Sequence, residues 1–221
     1  MEQQFFGVSL EKLLTSGGQT LYMVALALII GTVIGIVLAL ILVLCKKGGL
    51  AENLILYNIV SIYINIVRSI PFVILLVAIM PITRAIVGTT IGSTAALVPL
   101  VVYISPYLAR LMENSLLEVN PGILEAAEAM GASTWQVIRY FLLPETLGSI
   151  VLALTTGTIG LLGASAMAGY VGGGVGDLAL TYGYQRMNTP LMIFTVVVLV
   201  IFVQILQLAG NAVSRKLRQH R

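Results

Sequence analysis

The chain has 221 residues, of which 58% are hydrophobic and 10% are charged, and its mean hydropathy is +1.02. Soluble globular domains contain about 45–50% apolar and roughly 25% charged residues, so this composition excludes a water-soluble enzyme and leaves channels, carriers, membrane enzymes and permease subunits. The net charge of +3 is small and scattered, which argues against nucleic-acid binding.

The first apolar run, residues 21–44, predicts a transmembrane helix that is not cleaved off. It is longer than the apolar core of about 7–15 residues found in signal peptides. The chain also begins with Met1 and Glu2 rather than with a basic segment. We therefore expect this run to stay in the membrane.

Further apolar stretches bring the expected number of transmembrane helices to five, because a span needs about 20 apolar residues. The expected spans are residues 21–44, 54–80, 87–108, 147–168 and 191–213. Pro71 is expected to kink or break the second span, and Pro99 and Pro106 to bend the third. An odd number of spans places the two termini on opposite sides of the membrane.

Basic residues near the ends of the spans orient the chain, because cytoplasmic segments are enriched in lysine and arginine. The expected inside set is Lys46, Lys47, Arg110, Arg139, Arg215, Lys216, Arg218 and Arg221, and the outside set is Lys12, Arg84 and Arg186. The sequence therefore predicts an all-α, polytopic membrane protein with its N-terminus outside and its C-terminus in the cytoplasm.

Small residues recur every four positions in two spans, a pattern that lets helix backbones approach closely. The stripes are Ala27, Gly31, Gly35 and Ala39 in the first span and Thr156, Gly160, Ala164 and Ala168 in the fourth. Packing within the chain and a subunit interface both fit them. The last span lacks a stripe, so we expect it to contact lipid, with Gln204 and Gln207 facing protein.

The long interval between the third and fourth spans, residues 111–146, has the pattern of two short helices on the cytoplasmic side. Asn120 can cap the first helix, with Pro121 in the first helical position. Gly131 suits the left-handed residue that ends it.

The second short helix of this interval is expected to start at Ser133 and to stop before Pro144. Ser133 and Gln136 have the spacing of a capping box. The apolar residues that fall at helical spacing are Trp135, Ile138, Phe141 and Leu142. The interval is therefore predicted to be a folded element rather than a flexible link.

This loop also carries the most informative motif in the chain. The motif consists of Glu125, Ala126 and Ala127, then Gly131, then the run Phe141-Leu142-Leu143-Pro144. In spacing it resembles the signature loop of ABC-importer permease subunits, where isoleucine is usual at the position of Phe141. Three other segments, residues 65–72, 163–169 and 182–186, resemble methionine-import permeases in particular. The resemblance extends from about Ser16 to the C-terminal tail.

The resemblance implies the fold of a type I ABC importer permease in the bacterial inner membrane. It implies a homodimer of ten spans, two ATP-binding subunits that hold ATP and Mg²⁺ and dock on the loops, and an extracytoplasmic methionine-binding protein. The implied ATPase-coupling positions are Glu125, Ala126, Ala127, Gly131, Leu143 and Pro144. The implied substrate is methionine, with the D-enantiomer left open, and the chain itself would be no enzyme.

Four further residues are candidates for the translocation pathway or its gate. Arg68 interrupts an apolar stretch, and an intramembrane charge is a functional hypothesis by default, although arginine can also extend to an interface. Pro71 can bend a helix beside a pathway or within ordinary packing. Ser165 and Met167 lie at the outer end of the fourth span, where a polarizable methionine suits a thioether but is also common filler.

Other function classes fit the sequence less well. An ion-coupled carrier usually has acidic residues near the membrane midplane, whereas the acidic residues here fall outside the expected spans or at their ends. The glycine-rich run 172–176 lacks the Lys and Ser/Thr of a phosphate-binding loop, so we expect an outer loop there. Cys45 and His220, each single in the chain, are expected to be an inert boundary residue and a solvated tail residue. A permease for another amino acid is the nearest alternative.

Overall fold

The structure is a computed structural model that describes residues 4–219, so the expectation for His220 lies outside the described residues. Helices dominate it. The elements are β1 Gln4–Phe5, β2 Val8–Ser9, α1 Leu10–Cys45, α2 Leu54–Ser69, α3 Phe72–Ala78, α4 Met80–Val87, α5 Ser93–Leu117, α6 Pro121–Ala129, α7 Thr134–Gln136, a π-helical segment Val137–Leu142, α8 Leu143–Gly172, α9 Val175–Asp177, a second π-helical segment Leu178–Gln185, and α10 Thr189–Gln219.

Four continuous helical runs are long and apolar enough to cross a membrane, and α2 with α3 makes a fifth if that bent pair counts as one span. The four are Leu10–Cys45, Ser93–Leu117, Thr134–Gly172 and Thr189–Gln219. The expected second span is thus not one straight helix. Its two parts are bent by 105° where Pro71, which has no backbone N–H, begins the new helix.

The helix that covers the expected third span, residues 87–108, begins and ends later than that span. Gly88 ends α4 with a left-handed φ of 82°, and the next helix begins only at Ser93. That helix, α5, runs on to Leu117. Arg110 and Glu113, expected beyond the end of the span, therefore lie in the same helix as the span residues.

The chain divides into two compact units. Unit 1 comprises Met1–Gly31, Ile70–Ile104 and Thr158–Leu206, and unit 2 comprises Thr32–Ser69, Ser105–Gly157 and Gln207–Arg221.

Unit 1 contains a small antiparallel hairpin that the sequence did not predict. Gln4 pairs with Ser9, and Phe5 pairs with Val8. The two connecting residues, Phe6 and Gly7, both have positive φ, 52° and 78°, which is the backbone of a type I′ turn. The Nδ2 atom of Asn188 donates a hydrogen bond to the Phe6 carbonyl at 2.7 Å and holds the turn in place.

The glycine-rich run after α8 is a tight connection within unit 1. Gly174, with a φ of 88°, donates its N–H to Oε1 of Gln19 at 2.8 Å, and Val175 donates to Oγ1 of Thr20 at 2.9 Å. A Cβ atom on Gly174 would lie 2.6 Å from that Thr20 hydroxyl. Side chains of α1 therefore fix this run, which accounts for its glycine without any phosphate-binding role.

Close helix packing in unit 2 uses the glycine of the first stripe. A Cβ atom on Gly35 would lie 3.0 Å from Cβ of Leu108 and 3.2 Å from the Ser105 carbonyl oxygen, so the backbones of α1 and α5 approach closely. All four residues of the stripe are buried within the chain. Of the two interpretations of this stripe, packing within the chain is therefore the one observed. The second stripe is mixed, since Ala164 and Ala168 are buried but Thr156 is exposed.

The last helix, α10, is the least buried of the long helices, as its lack of a small-residue stripe led us to expect. Within the chain Gln204 is exposed, and Gln207 donates from Nε2 to Oδ1 of Asn211 at 3.4 Å. Its close contact in unit 2 is at Gly210, where a Cβ atom would collide with the side chain of Thr155.

Candidate coupling loop and polar cluster

The first loop helix, α6, is closed at both ends by the residues that the sequence marks. Oδ1 of Asn120 accepts a hydrogen bond from the Gly122 N–H at 2.9 Å. At the other end Gly131 has a φ of 76° and donates to the Glu128 carbonyl, while the N–H of Ala132 reaches the Ala127 carbonyl. This pair of bonds is a Schellman motif, so both predicted ends are confirmed.

The second loop helix begins with the predicted capping box. Oγ of Ser133 accepts from the Gln136 N–H at 3.4 Å, and Oε1 of Gln136 accepts from the Ser133 N–H at 2.7 Å. Two backbone donors that have no partner in the helix are thereby satisfied. The turn between α6 and α7 is thus a short, fully bonded corner.

The expected end of this helix before Pro144 is wrong. The chain stays helical from Thr134 to Gly172, passing through the π-helical segment Val137–Leu142. Leu143 donates its N–H to the carbonyl of Ile138, five residues back. The widened turn explains how the missing N–H of Pro144 is accommodated without a break, because it shifts the hydrogen-bond register just before the proline.

The apolar side chains around the widened turn differ in burial. Val137, Ile138 and Leu142 are buried, whereas Trp135 is 63% exposed. Trp135, which falls at helical spacing with Ile138 and Leu142, is therefore not buried with them within the chain. Together with Met130 and Tyr140, which are also exposed, it gives the loop an apolar outer surface that the chain itself leaves uncovered.

The six candidate coupling residues are all in unit 2 and differ in exposure. Glu125, Ala126, Gly131 and Pro144 are exposed, Leu143 is half-buried and Ala127 is fully buried. The buried Ala127 seats α6 on unit 2, so the neighbouring Glu125 and Ala126 point outward. Part of the motif is thus exposed on the chain, and the rest is packed against it.

A cavity of about 280 Å³ lies in unit 2 between the segment after α1 and the loop helix α6. Its charged lining residues are Lys46, Glu125 and Glu128, and its apolar lining includes Leu116 and Leu142. Basic and acidic side chains thus line the same cavity.

Of the four pathway candidates, Arg68 has the most informative surroundings. It lies in the last turn of α2, is exposed, and its guanidinium carbon is 6.0 Å from the ring centre of Tyr107. This is within the range of a cation–π contact. Pro71, also exposed, begins α3 with a φ of −55°, and its carbonyl accepts from Ile74 and Leu75.

Ser165 and Met167 point to different faces of α8 in unit 1. Ser165 is buried and donates from Oγ to the Leu162 carbonyl at 2.8 Å. Met167 is exposed on the face that also contains Gly163 and Tyr170. They do not form a joint site within the chain.

The sequence did not predict the polar cluster around Arg110 in unit 2. Nη1 of Arg110 lies 2.7 Å from Oε2 of Glu113, and Nη2 donates to Oγ of Ser61 at 2.7 Å and to Oδ1 of Asn65 at 3.0 Å. The cluster links α5 to α2. Arg110 and Glu113, which lie beyond the end of the expected third span, are thus bonded to each other and to α2 within unit 2. The sequence feature that could have indicated this cluster is the recurrence of polar residues in α2 at steps of three and four residues.

Comparison with known proteins gives a consistent result over nearly the whole chain. Residues 31–219 match the family described as binding-protein-dependent transport system inner membrane component. The probable D-methionine transport system permease protein MetI of Vibrio cholerae is 49% identical over 96% of this chain and 95% of its own length. The methionine import system permease protein MetP of Bacillus subtilis is 39% identical over 96% of each chain.

Solved structures agree with this result. A chain of the MetNI methionine ABC transporter in an inward facing conformation has a TM-score of 0.90 and 44% identity, covering 93% of this chain and 96% of that chain. An amino acid ABC transporter with histidines has a TM-score of 0.70 at 22% identity, covering 91% and 94% of the two chains, and shows likeness of fold alone. With its apolar helices, this multi-pass chain belongs to the family of binding-protein-dependent transport system inner membrane components.

Proposed function

We propose that this chain is the permease subunit of an ATP-driven importer of methionine in the bacterial inner membrane. The observation that carries the proposal is the near full-length similarity to methionine permeases, 49% over 96% of the chain for the Vibrio cholerae protein. The chain forms the translocation path, and ATP with Mg²⁺ is bound and hydrolysed on a separate subunit. The active unit contains two copies of this chain and two ATPase subunits, and an extracytoplasmic binding protein delivers the substrate.

The loop formed by α6 and α7 is the contact through which the ATPase acts on this chain. Glu125 offers a charge, and the exposed Ala126 and Ala129 leave room for close approach of a partner surface. The bonded corner around Gly131 and Ser133 makes the loop stiff enough to transmit a displacement. ATP shifts the equilibrium because it binds more tightly to one conformation of the ATPase pair, and the docked loop follows that conformation.

The distribution of basic residues between the two units supports the proposed orientation. Within residues 4–219, the seven described residues of the expected cytoplasmic set belong to unit 2, and all three of the outer set belong to unit 1. Such segregation is what the enrichment of lysine and arginine on the cytoplasmic side produces. We therefore expect the loop of unit 2 on the cytoplasmic side.

Uptake of labelled methionine by cells that express the complete importer tests this function. ATP is depleted while the ion gradient is held, and in a parallel sample the gradient is collapsed with an uncoupler at normal ATP. We expect uptake to stop in the first sample and to continue in the second. Uptake that persists without ATP would establish an ion-coupled carrier instead. If methionine enters in neither condition nor in untreated cells, the substrate assignment fails and another amino acid is indicated.

A further inference from the structure

Polar residues form a continuous stripe along α2, although this helix lies in an apolar part of the chain. Asn58, Ser61, Asn65 and Arg68 follow one another at steps of three, four and three residues. At 3.6 residues per turn they lie within an arc of about 80°. The buried side of the helix, with Val60, Ile64 and Val67, is a neighbouring arc, and Ile59, Ile62 and Ile66 form the exposed apolar arc on the other side.

A matching stripe on α5 faces this one within unit 2. It consists of Tyr107, Arg110 and Asn114, at steps of three and four residues. Arg110 bonds to Ser61 and Asn65, and the Tyr107 ring lies beside Arg68. The two helices therefore run in opposite directions along a shared polar seam.

The two arginines of this seam differ in how their charge is balanced. Arg110 is paired with Glu113 and bonded to two further side chains. Arg68 is exposed, and within residues 4–219 no carboxylate forms an ion pair with it. It lies about 21 Å along the helix axis from Leu54, where the expected second span begins, at 1.5 Å per residue. An unbalanced cation at such depth needs water or an anionic ligand, because lipid solvates it poorly.

We propose that the facing stripes of α2 and α5 form one wall of the water-filled substrate pathway, and that Arg68 receives the carboxylate of the passing amino acid. The proposal rests on the proposed import function. A guanidinium matches a carboxylate in charge and in its paired donors. Because the charge of Arg110 is already balanced by Glu113, Arg68 is the arginine on this wall that can pair with a substrate carboxylate. The exposed isoleucine arc contacts lipid or packs against another helix.

Cysteine labelling in the reconstituted importer complex tests the wall without relying on transport. Cys45 is buried and is replaced by serine to give the background. Asn65→Cys and Asn58→Cys probe the stripe, and Ile62→Cys and Ile66→Cys are matched controls on the same helix, 58% and 57% exposed within the chain. We expect anionic and cationic methanethiosulfonate reagents to modify the stripe variants in bilayer nanodiscs and to leave the isoleucine variants unmodified. Equal reactivity on both arcs, or no reaction on the stripe, would overturn the proposal that these stripes line a water-filled pathway.

The charge preference of the labelling reaction tests Arg68 itself. At the Asn65→Cys variant the anionic reagent should react about tenfold faster than the cationic one, since a fixed positive charge concentrates anions. Adding Arg68→Gln should remove this preference, and adding Arg68→Lys should retain it. A preference that persists in the Arg68→Gln background would assign the positive potential to another group and overturn the role of Arg68.

Protection of the cysteine by ligands tests whether Arg68 binds the carboxylate of methionine. Methionine at millimolar concentration should slow modification of the Asn65→Cys variant, whereas methioninamide, which lacks the carboxylate, should not. Equal protection by both compounds, or protection by neither, would overturn carboxylate binding at Arg68. Failure of the proposed function is seen separately, as absence of ATP-dependent methionine uptake by the unmodified importer.

Discussion

Replacing Glu113 by glutamine should destabilise the protein more than removing both members of its ion pair with Arg110. The pair has an N–O distance of 2.7 Å, and the Arg110 and Glu113 side chains are only 19% and 9% exposed. At an effective dielectric constant of about 20, their gross attraction is about 6 kcal/mol, part of which offsets desolvation. Removing one partner leaves the other charge buried alone, which lowers the free energy of unfolding by about 3–5 kcal/mol.

The double variant Arg110→Met/Glu113→Leu removes both charges and should be much less harmful. Replacing a buried ion pair by apolar residues of similar volume is often neutral. Ser61 and Asn65 lose a donor, but both retain some exposure and can bond to water. We expect a cost within about 2 kcal/mol for the double variant. Arg110→Lys keeps the charge but loses the fork that spans Glu113 and Ser61, so its cost should lie between the two.

Equilibrium unfolding in mixed micelles of increasing SDS content, followed by far-ultraviolet circular dichroism, measures these differences. The reasoning is refuted if Glu113→Gln unfolds at the same SDS fraction as the unchanged chain. It is also refuted if the double variant is less stable than Glu113→Gln, because the ion pair would then be stabilising beyond the cost of burying its charges.

Three further predictions concern the loop and the helix contacts. Glu125→Lys and Gly131→Val should release or uncouple the ATPase while the helices remain in the membrane, whereas Gly131→Asn should retain coupling because asparagine tolerates a positive φ. Co-purification of the ATPase and methionine-dependent ATPase rates measure this. Unchanged values for Glu125→Lys and Gly131→Val would contradict the prediction. Ser133→Ala should lower local stability at the start of α7 by about 1 kcal/mol, seen as faster amide exchange over 134–137, and unaltered exchange would argue against the capping box. Gly35→Ala should lower the free energy of unfolding by about 1–3 kcal/mol because its Cβ meets α5. Gly163→Ala should not, since no atom lies within 4 Å of the new Cβ. Equal unfolding midpoints of the two variants would contradict close packing at Gly35.

The ends of the loop helices were predictable because each depends on residues within six positions of one another. Asn120 reaches a backbone N–H two residues away, and Ser133 and Gln136 bond to each other across three. Gly131 is set by its own backbone angle. Such local chemistry is readable from the order of residues alone.

The continuation of the second loop helix past Pro144 was not predictable in this way. Proline usually ends a helix, and the pattern of apolar residues was compared with a period of 3.6. A π-helical segment has a wider turn, so apolar residues within it do not recur at that period. The bond from Leu143 to Ile138 replaces the usual pattern, and no single residue type in the segment announces it.

The polar cluster was missed for a different reason, which is distance along the chain. Ser61 and Asn65 are 49 and 45 residues from Arg110, and only the packing of α2 against α5 brings them together. Because Arg110 and Glu113 lie beyond the expected third span, the sequence predicted no partners for them. Because Glu113 is buried in α5, its carboxylate needs a partner inside the protein.

The exposed position of Trp135 gives the protein a built-in optical probe. It is the single tryptophan of the chain. Excitation at a wavelength that tryptophan absorbs and tyrosine does not therefore gives emission from the loop surface and from nowhere else in this subunit. Burial of an indole shifts its emission to shorter wavelength. With a tryptophan-free partner, the spectrum would follow docking and release of the loop in real time without any added label.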